Sequence, residues 1–158
     1  MRELRGEPGA AGRRFALVAS RFNEVVVAKL VAGALECLRA HGIADDDLDL
    51  VWVPGAFELP LLARTLARTG RYGGVICLGA VIRGETSHYD AVVARAVDGI
   101  GGAADDTGVP VTFGVLTTET LEQAMERAGG SHGNKGWDAA MAAMEMSSLL
   151  DGLQKEEA

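Results

Sequence analysis

Short apolar runs alternate along this chain with longer segments in which apolar residues return every three or four positions. The runs at residues 14–20, 48–53, 74–82 and 110–116 are rich in Val, Leu, Ile and Ala and read as strands buried on both faces. The segments at 24–41, 57–69, 87–103, 119–128 and 135–150 read as helices. In the first of these, Val27, Leu30, Val31, Ala34, Leu35 and Leu38 make one apolar face. Asn23 is its expected N-cap and Gly42 the residue that ends it. Pro54-Gly55 stops the second strand, and Pro60 is tolerated because it falls in the first turn of the second helix. Asp45, Asp46 and Asp47 form a solvated acidic loop, and residues 129–133 a glycine-rich one.

Strands alternating with helices at this spacing predict an α/β fold, with a parallel sheet covered on both faces by helices. A chain of 158 residues suits one domain with a substantial core, flanked by a loose polar arm at 1–12 and a charged tail at 152–158. Aromatic residues are only 5% of the chain, so that core must be built from aliphatic side chains and alanine. The net charge of −7 argues against nucleic acid or an anionic membrane as partner. Arg2, Glu3, Arg5 and Glu7 interrupt any signal-peptide pattern, and no apolar run is long enough to span a bilayer. Cys37 and Cys77 sit in apolar surroundings on different elements, which suggests reduced thiols and a cytoplasmic protein. His41, His88 and His132 fall on separate elements, with no Cys-x-x-Cys or His-Glu-x-x-His, so no metal site is expected.

Ligands of open parallel sheets bind at the carboxyl ends of the strands. Here that edge collects residues 20–23, 54–58, 81–87 and 116–118. The most informative part is GAVIRGETSHYD at 79–90, which reads as strand end, turn and helix start. Gly84 is expected to supply the turn through a positive φ, and Ser87 with Asp90 has the spacing of a capping box. A helix N-terminus suits a phosphate or another anion. His88 in the first turn adds an imidazole, which takes and gives protons near neutral pH. The plainer reading of a lone histidine is a surface residue, but the glycine turn at a ligand edge favours the catalytic one.

Other residues at this edge carry two readings each. Phe22 is either core or a platform for a planar ring. Glu58 either complements a helix dipole or accepts from a polyol or amine. Phe113 belongs by default to the core, and Arg127 either ends a helix favourably or clamps a phosphate. Two motifs mislead. GGSHG at 129–133 has the Gly-x-Ser-x-Gly pattern of a nucleophile elbow but follows a helix, not a strand. Gly99-x-Gly101-x-x-Ala104 lies at the end of a helix, where a dinucleotide fingerprint has no use.

Taken jointly, SRFNE (20–24), VPGAFELP (53–60), GAVIRGETSHYD (79–90), PVTFGVLTTETLEQAMERAG (110–129) and GNKGW (133–137) resemble the lumazine synthase family over residues 15–150. The resemblance implies a flavodoxin-like three-layer sandwich with a four-stranded parallel sheet. It implies a transferase that condenses 5-amino-6-(D-ribitylamino)uracil with L-3,4-dihydroxy-2-butanone 4-phosphate, without metal or organic cofactor, in the penultimate step of riboflavin synthesis. Phe22 is then the residue that stacks on the pyrimidine. Ala56, Phe57 and Glu58, with Ala80, Val81 and Ile82, hold the pyrimidine and ribityl chain. Glu85 and Thr86 offer backbone N–H groups to the phosphate, Arg127 clamps it, and His88 shuttles protons. Phe113 reaches into the site of a neighbouring subunit, and Lys135 approaches the ligand.

Glu85 stands where small residues are common in the family, so its carboxylate must point away from the phosphate. The family assembles as homopentamers with sites between subunits. Some members close into sixty-subunit shells of twelve pentamers, and association with riboflavin synthase is a further implied partnership. The short link at 129–135 fits a shell, and a free pentamer fits equally. Two other classes of function compete: a binding module that holds a flavin or lumazine without turnover, and a purely structural shell protein. The joint presence of His88 and Arg127 favours the enzyme.

Overall fold

A computed structural model describes residues 1–9 and 12–158 of the chain. Ala10 and Ala11, part of the expected arm, lie outside the described residues. The elements run β1 (Phe15–Ser20), α1 (Glu24–Ala40), β2 (Leu48–Val53), α2 (Leu59–Arg68), β3 (Gly74–Ile82), α3 (His88–Thr107), β4 (Val111–Thr118), α4 (Leu121–Glu126), the short strands β5 (Ala128–Gly130) and β6 (Gly133–Asn134), and α5 (Lys135–Glu157). Single 3-10 turns precede β2 and α2.

The main sheet has the order β2-β1-β3-β4, and every pairing in it is parallel. This is the flavodoxin-like arrangement. The order reverses direction between β1 and β3, and that reversal opens a crevice at the carboxyl edge. One face of the sheet packs against α1 and α5 through Phe15, Leu17, Leu30, Leu38, Ile76, Leu78 and Met144. The other packs against α2 and α3 through Val18, Leu59, Ala63, Val75, Ala96 and Ile100. Both cores are aliphatic and alanine-rich, and small residues let the helices approach closely. A Cβ on Gly99 would lie 2.5 Å from Pro60 Cγ, and one on Gly136 only 2.0 Å from the Leu30 carbonyl oxygen.

Several local expectations change. Asn23 holds the N-cap position of α1, as expected, but its backbone is left-handed, with φ 60°, and its side chain makes no cap bond. Its Nδ2 instead donates to the Ala80 carbonyl at 2.9 Å, tying the exit of β1 to the end of β3. Asparagine tolerates this conformation better than most residues. The Ser87–Asp90 box does not form either. The Asp90 carboxylate is engaged by Arg83. A capping box does form where none was expected, between Thr120 and Gln123 at the start of α4. The helix expected at 119–128 shrinks to α4, and residues 128–134 fold into the β5–β6 hairpin in place of a plain glycine loop.

The expected third and fifth helices both run longer. α3 continues to Thr107, where Gly108 closes it in the left-handed conformation. α5 continues to Glu157, taking in most of the charged tail. Residues of the amino-terminal arm lie against it. The Glu7 N–H donates to Ser148 Oγ, Arg2 pairs with Glu156, and Gly6 approaches the Glu145 carbonyl too closely for any side chain. The two cysteines are free and buried, and burial pushes their thiols up to about 11 for Cys37 and about 12 for Cys77. Neither is a nucleophile at neutral pH.

Candidate active site

Three strand ends build the main cleft. The turn after β1 is pinned to the exit of β2, because Arg21 N–H donates to the Val53 carbonyl and Phe22 N–H to the Pro54 carbonyl. Asn23 pins the same turn to β3. Phe22 therefore cannot fold back onto the core and stands 71% exposed over the edge. It fronts a cleft of about 700 Å³ that Ala56, Phe57, Glu58, Ala80, Val81, Ile82, Thr86 and His88 also line. The walls are mostly apolar, and polar groups enter from the open backbone at the strand ends and from a few side chains, as small-molecule sites require.

His88 is the first residue of α3, and its N–H donates to Thr86 Oγ1 at 3.3 Å. Its imidazole makes no hydrogen bond among the described residues, so both ring nitrogens are available to a ligand. Beside it, Tyr89 and Val92 complete the wall. The guanidinium of Arg95, further along α3, lies 5.5 Å from the centre of the Phe57 ring. Such a contact orients an otherwise exposed aromatic.

Gly84 lines this cleft, but for a reason other than the expected one. Its φ is not positive, and a Cβ added to it would meet nothing within 4 Å. Neither the turn nor the protein's own packing demands glycine there. The space it leaves open belongs to the cleft. Gly84→Ala should hold or raise thermal stability, by up to about 1 kcal/mol through the unfolded chain, while weakening ligand binding. Thermal unfolding and a ligand titration on the same preparation check this; unchanged binding would leave the glycine without a functional reason.

Arg127 does not share the first cleft. It lines a second one, of about 410 Å³, with Val115–Thr118 at the end of β4 and with His132, Lys135 and Asp138. Its Nη1 donates to the Gln123 carbonyl at 3.0 Å and lies 3.5 Å from Glu126 Oε2. Nε and Nη2 have no protein partner among the described residues. A guanidinium anchored through one corner and open at the others is suited to an anion. Lys135 is held nearby because its N–H donates to the Arg127 carbonyl, across the β5–β6 hairpin.

Phe113 lines neither cleft. It sits within β4, opposite Cys77 in the register, half-buried against the α2–α3 face of the sheet. Glu85 is exposed and also lines neither cleft. His132 and Asp138 were not among the expected site residues. The signal for His132 was its place in GGSHG, where the serine drew attention first. Ser131 Oγ and Glu126 Oε2 both approach the same His132 nitrogen, Nδ1, at 3.1 and 3.5 Å. A proton relay needs the two ring nitrogens to serve opposite partners, so these three residues are not a hydrolase triad.

The fold is that of a flavodoxin-like α/β protein with two clefts at the carboxyl edge of the sheet. No helix among the described residues is long and apolar enough to cross a membrane. The family model for 6,7-dimethyl-8-ribityllumazine synthase matches residues 12–151, and the chain belongs to that family. The family implies lumazine synthase activity in riboflavin biosynthesis.

Proposed function

We propose that this protein condenses 5-amino-6-(D-ribitylamino)uracil with L-3,4-dihydroxy-2-butanone 4-phosphate to give 6,7-dimethyl-8-ribityllumazine, a transferase reaction in the penultimate step of riboflavin synthesis. The observation that carries this reading is the first cleft, where Phe22 stands exposed beside the open strand ends and His88 shares the same space. Phe22 supplies a face for the pyrimidine. Backbone groups of Ala80, Val81 and Ile82 and of Ala56, Phe57 and Glu58 meet the ring edge and the ribityl hydroxyls. Thr86 and Glu85 offer N–H groups at the start of α3 to the phosphate, and the Glu85 side chain points to solvent.

The 5-amino group attacks the ketone, and loss of water gives an imine. The neighbouring hydroxyl-bearing carbon then loses its proton as phosphate leaves with the electron pair of its C–O bond, and the enol so formed tautomerises to a ketone. The ribitylamino nitrogen attacks the carbonyl that results, and a second water is lost on ring closure. Protons move at each step, and His88 is placed to accept and return them. No step calls for a metal or an organic cofactor.

Arg127, His132 and Lys135 lie in a different cleft from His88, so one chain carries two partial sites. We read them as halves that meet between neighbouring subunits of a homopentamer, with Arg127 of one chain clamping the phosphate held by Thr86 of the next. Phe113 then contributes from the same side as Arg127. The whole chain acts as one domain in this assembly, in the cytoplasm, and closure of twelve pentamers into a shell and association with riboflavin synthase are compatible with it. Exposed Val25, Leu61 and Val97 are apolar surface that such packing covers.

The test is turnover. Purified protein, mixed with both substrates, should form fluorescent lumazine saturably and above the uncatalysed background. His88→Ala should lower kcat by about ten- to a hundredfold, at or below the usual contribution of one general acid–base group, because co-localisation of the reactants supplies the remainder. Lumazine binding without turnover would instead establish the binding module.

A further inference from the structure

We propose that Arg83 is a positioning residue for this reaction, a brace that fixes the turn carrying Thr86 and His88 against the end of β4 and the start of α4. The inference rests on the function proposed above. Residues Gly84, Glu85, Thr86 and Ser87 are all exposed, and their only side-chain hydrogen bond among the described residues is the local one from His88 N–H to Thr86. Left to itself, this turn has little to hold it. Arg83, at its root, makes every side-chain tie that leaves it. Nε lies 3.1 and 3.0 Å from the two carboxylate oxygens of Glu119, and Nη2 lies 3.4 Å from Asp90 Oδ1. The guanidinium carbon sits 4.2 Å from the centre of the Tyr89 ring, next to His88 on the cleft wall. The Arg83 N–H donates to the Thr118 carbonyl, so the residue is anchored to β4 by its backbone as well.

Arg83 lines neither cleft, and two carboxylates already face it, so it is poorly placed to bind substrate phosphate itself. What it does is connect. Glu119 N–H donates to Gln123 Oε1 within the capping box of α4, and the Gln123 carbonyl accepts from Arg127 Nη1. Within one chain, contacts thus run from Tyr89, beside His88, through Arg83, Glu119 and Gln123 to Arg127, so the turn is held against the element that carries the chain's other half-site. Half-exposed ion pairs of this kind add little to stability. A small misplacement of reacting groups, by contrast, costs rate steeply.

The experiment measures kcat and both KM values alongside thermal unfolding. Arg83→Met keeps the aliphatic stem over Tyr89 and removes the brace. It should leave the unfolding midpoint nearly unchanged and lower kcat by roughly ten- to a hundredfold, the range expected of an ångström-scale misplacement. Glu119→Gln should lower kcat in the same sense but less. The double variant should be no slower than Arg83→Met alone, because both changes break one unit. Arg83→Lys, able to reach a single carboxylate, should fall between. Kinetics within about twofold of wild type in Arg83→Met would overturn the proposal, twofold being roughly 0.4 kcal/mol. So would a rise confined to KM for the phosphorylated substrate with Glu119→Gln normal, which marks a direct phosphate contact. A kcat loss that tracks a lowered unfolding midpoint in both variants would reduce Arg83 to a structural residue. Absence of turnover in the wild type would remove the proposed function itself, and this role with it.

Discussion

Gly136→Ala should be severely destabilising, costing about 3 kcal/mol or more, at or above the top of the usual range for overpacking. The added carbon would lie 2.0 Å from the Leu30 carbonyl oxygen and 2.8 Å from its carbonyl carbon. Both are backbone atoms within α1, so no side chain can rotate away. The neighbourhood is equally tight. Asn134 caps α5 by accepting from the N–H groups of Gly136 and Trp137, while its Nδ2 donates to the Lys29 carbonyl of α1. A Cβ on Gly33 would strike that same Asn134 side chain at 2.3 Å. For a chain of this size, 3 kcal/mol lowers the unfolding midpoint by roughly 6–12 °C, which a thermal melt resolves easily. Gly152→Ala is the control. That glycine lies in the same helix with nothing within 4 Å of a Cβ, so the change should be neutral or stabilising by up to about 1 kcal/mol. Equal melts for the two variants would mean that α1 and α5 do not meet as described. The joint also bears on the site, since Lys135 immediately precedes Gly136 and lines the Arg127 cleft.

Arg127→Met should act on the phosphorylated substrate and little else. A hydrogen bond to a charged group contributes about 1.5–3 kcal/mol, so KM for the butanone phosphate should rise roughly ten- to 150-fold. The KM for the pyrimidine should stay near its wild-type value. Stability should change little, because the side chain gives up one hydrogen bond, to the Gln123 carbonyl, and a 3.5 Å ion pair with Glu126, both at a half-exposed helix end. Arg127→Lys should recover part of the loss, since an ammonium keeps the charge but not the flat array of donors. An unchanged KM for the butanone phosphate in Arg127→Met would show that the phosphate is held elsewhere. The other groups of the second cleft, His132 and Lys135, would be the next to test.

The strands were legible because each is a compact apolar run bounded by Pro, Gly or charged residues, and the bounds of β2 and β3 agree with the sequence reading to the residue. Helix ends were less legible, for reasons that lie outside the local sequence. Gly99, Gly101 and Gly102 suggest that α3 stops near residue 103, but Gly99 is there to let Pro60 approach, and the helix continues. The charged end of α5 looks like a tail until the amino-terminal arm is seen against it. Ser87 and Asp90 have the right spacing for a cap, yet a long-range partner, Arg83, takes the carboxylate. The first cleft could be anticipated because all its parts sit at strand ends of one parallel sheet. The separation of Arg127 from His88 could not, because sequence spacing says nothing about which of two crevices a residue faces. The resemblance to a family with sites between subunits allowed for it; a single chain read alone did not.

The two tryptophans of the chain give these ideas an optical handle. Trp137 is partly buried at the α1–α5 joint, with its ring edge-on to His41 at 6.2 Å between centres. Trp52 is 36% exposed on β2, an edge strand of the sheet. Their emission therefore reports different events: Trp137 follows the opening of the helical joint, and Trp52 follows whatever covers the sheet edge. With Trp52→Phe and Trp137→Phe each made alone, changes at the sheet edge and opening of the helical joint become separately visible by fluorescence.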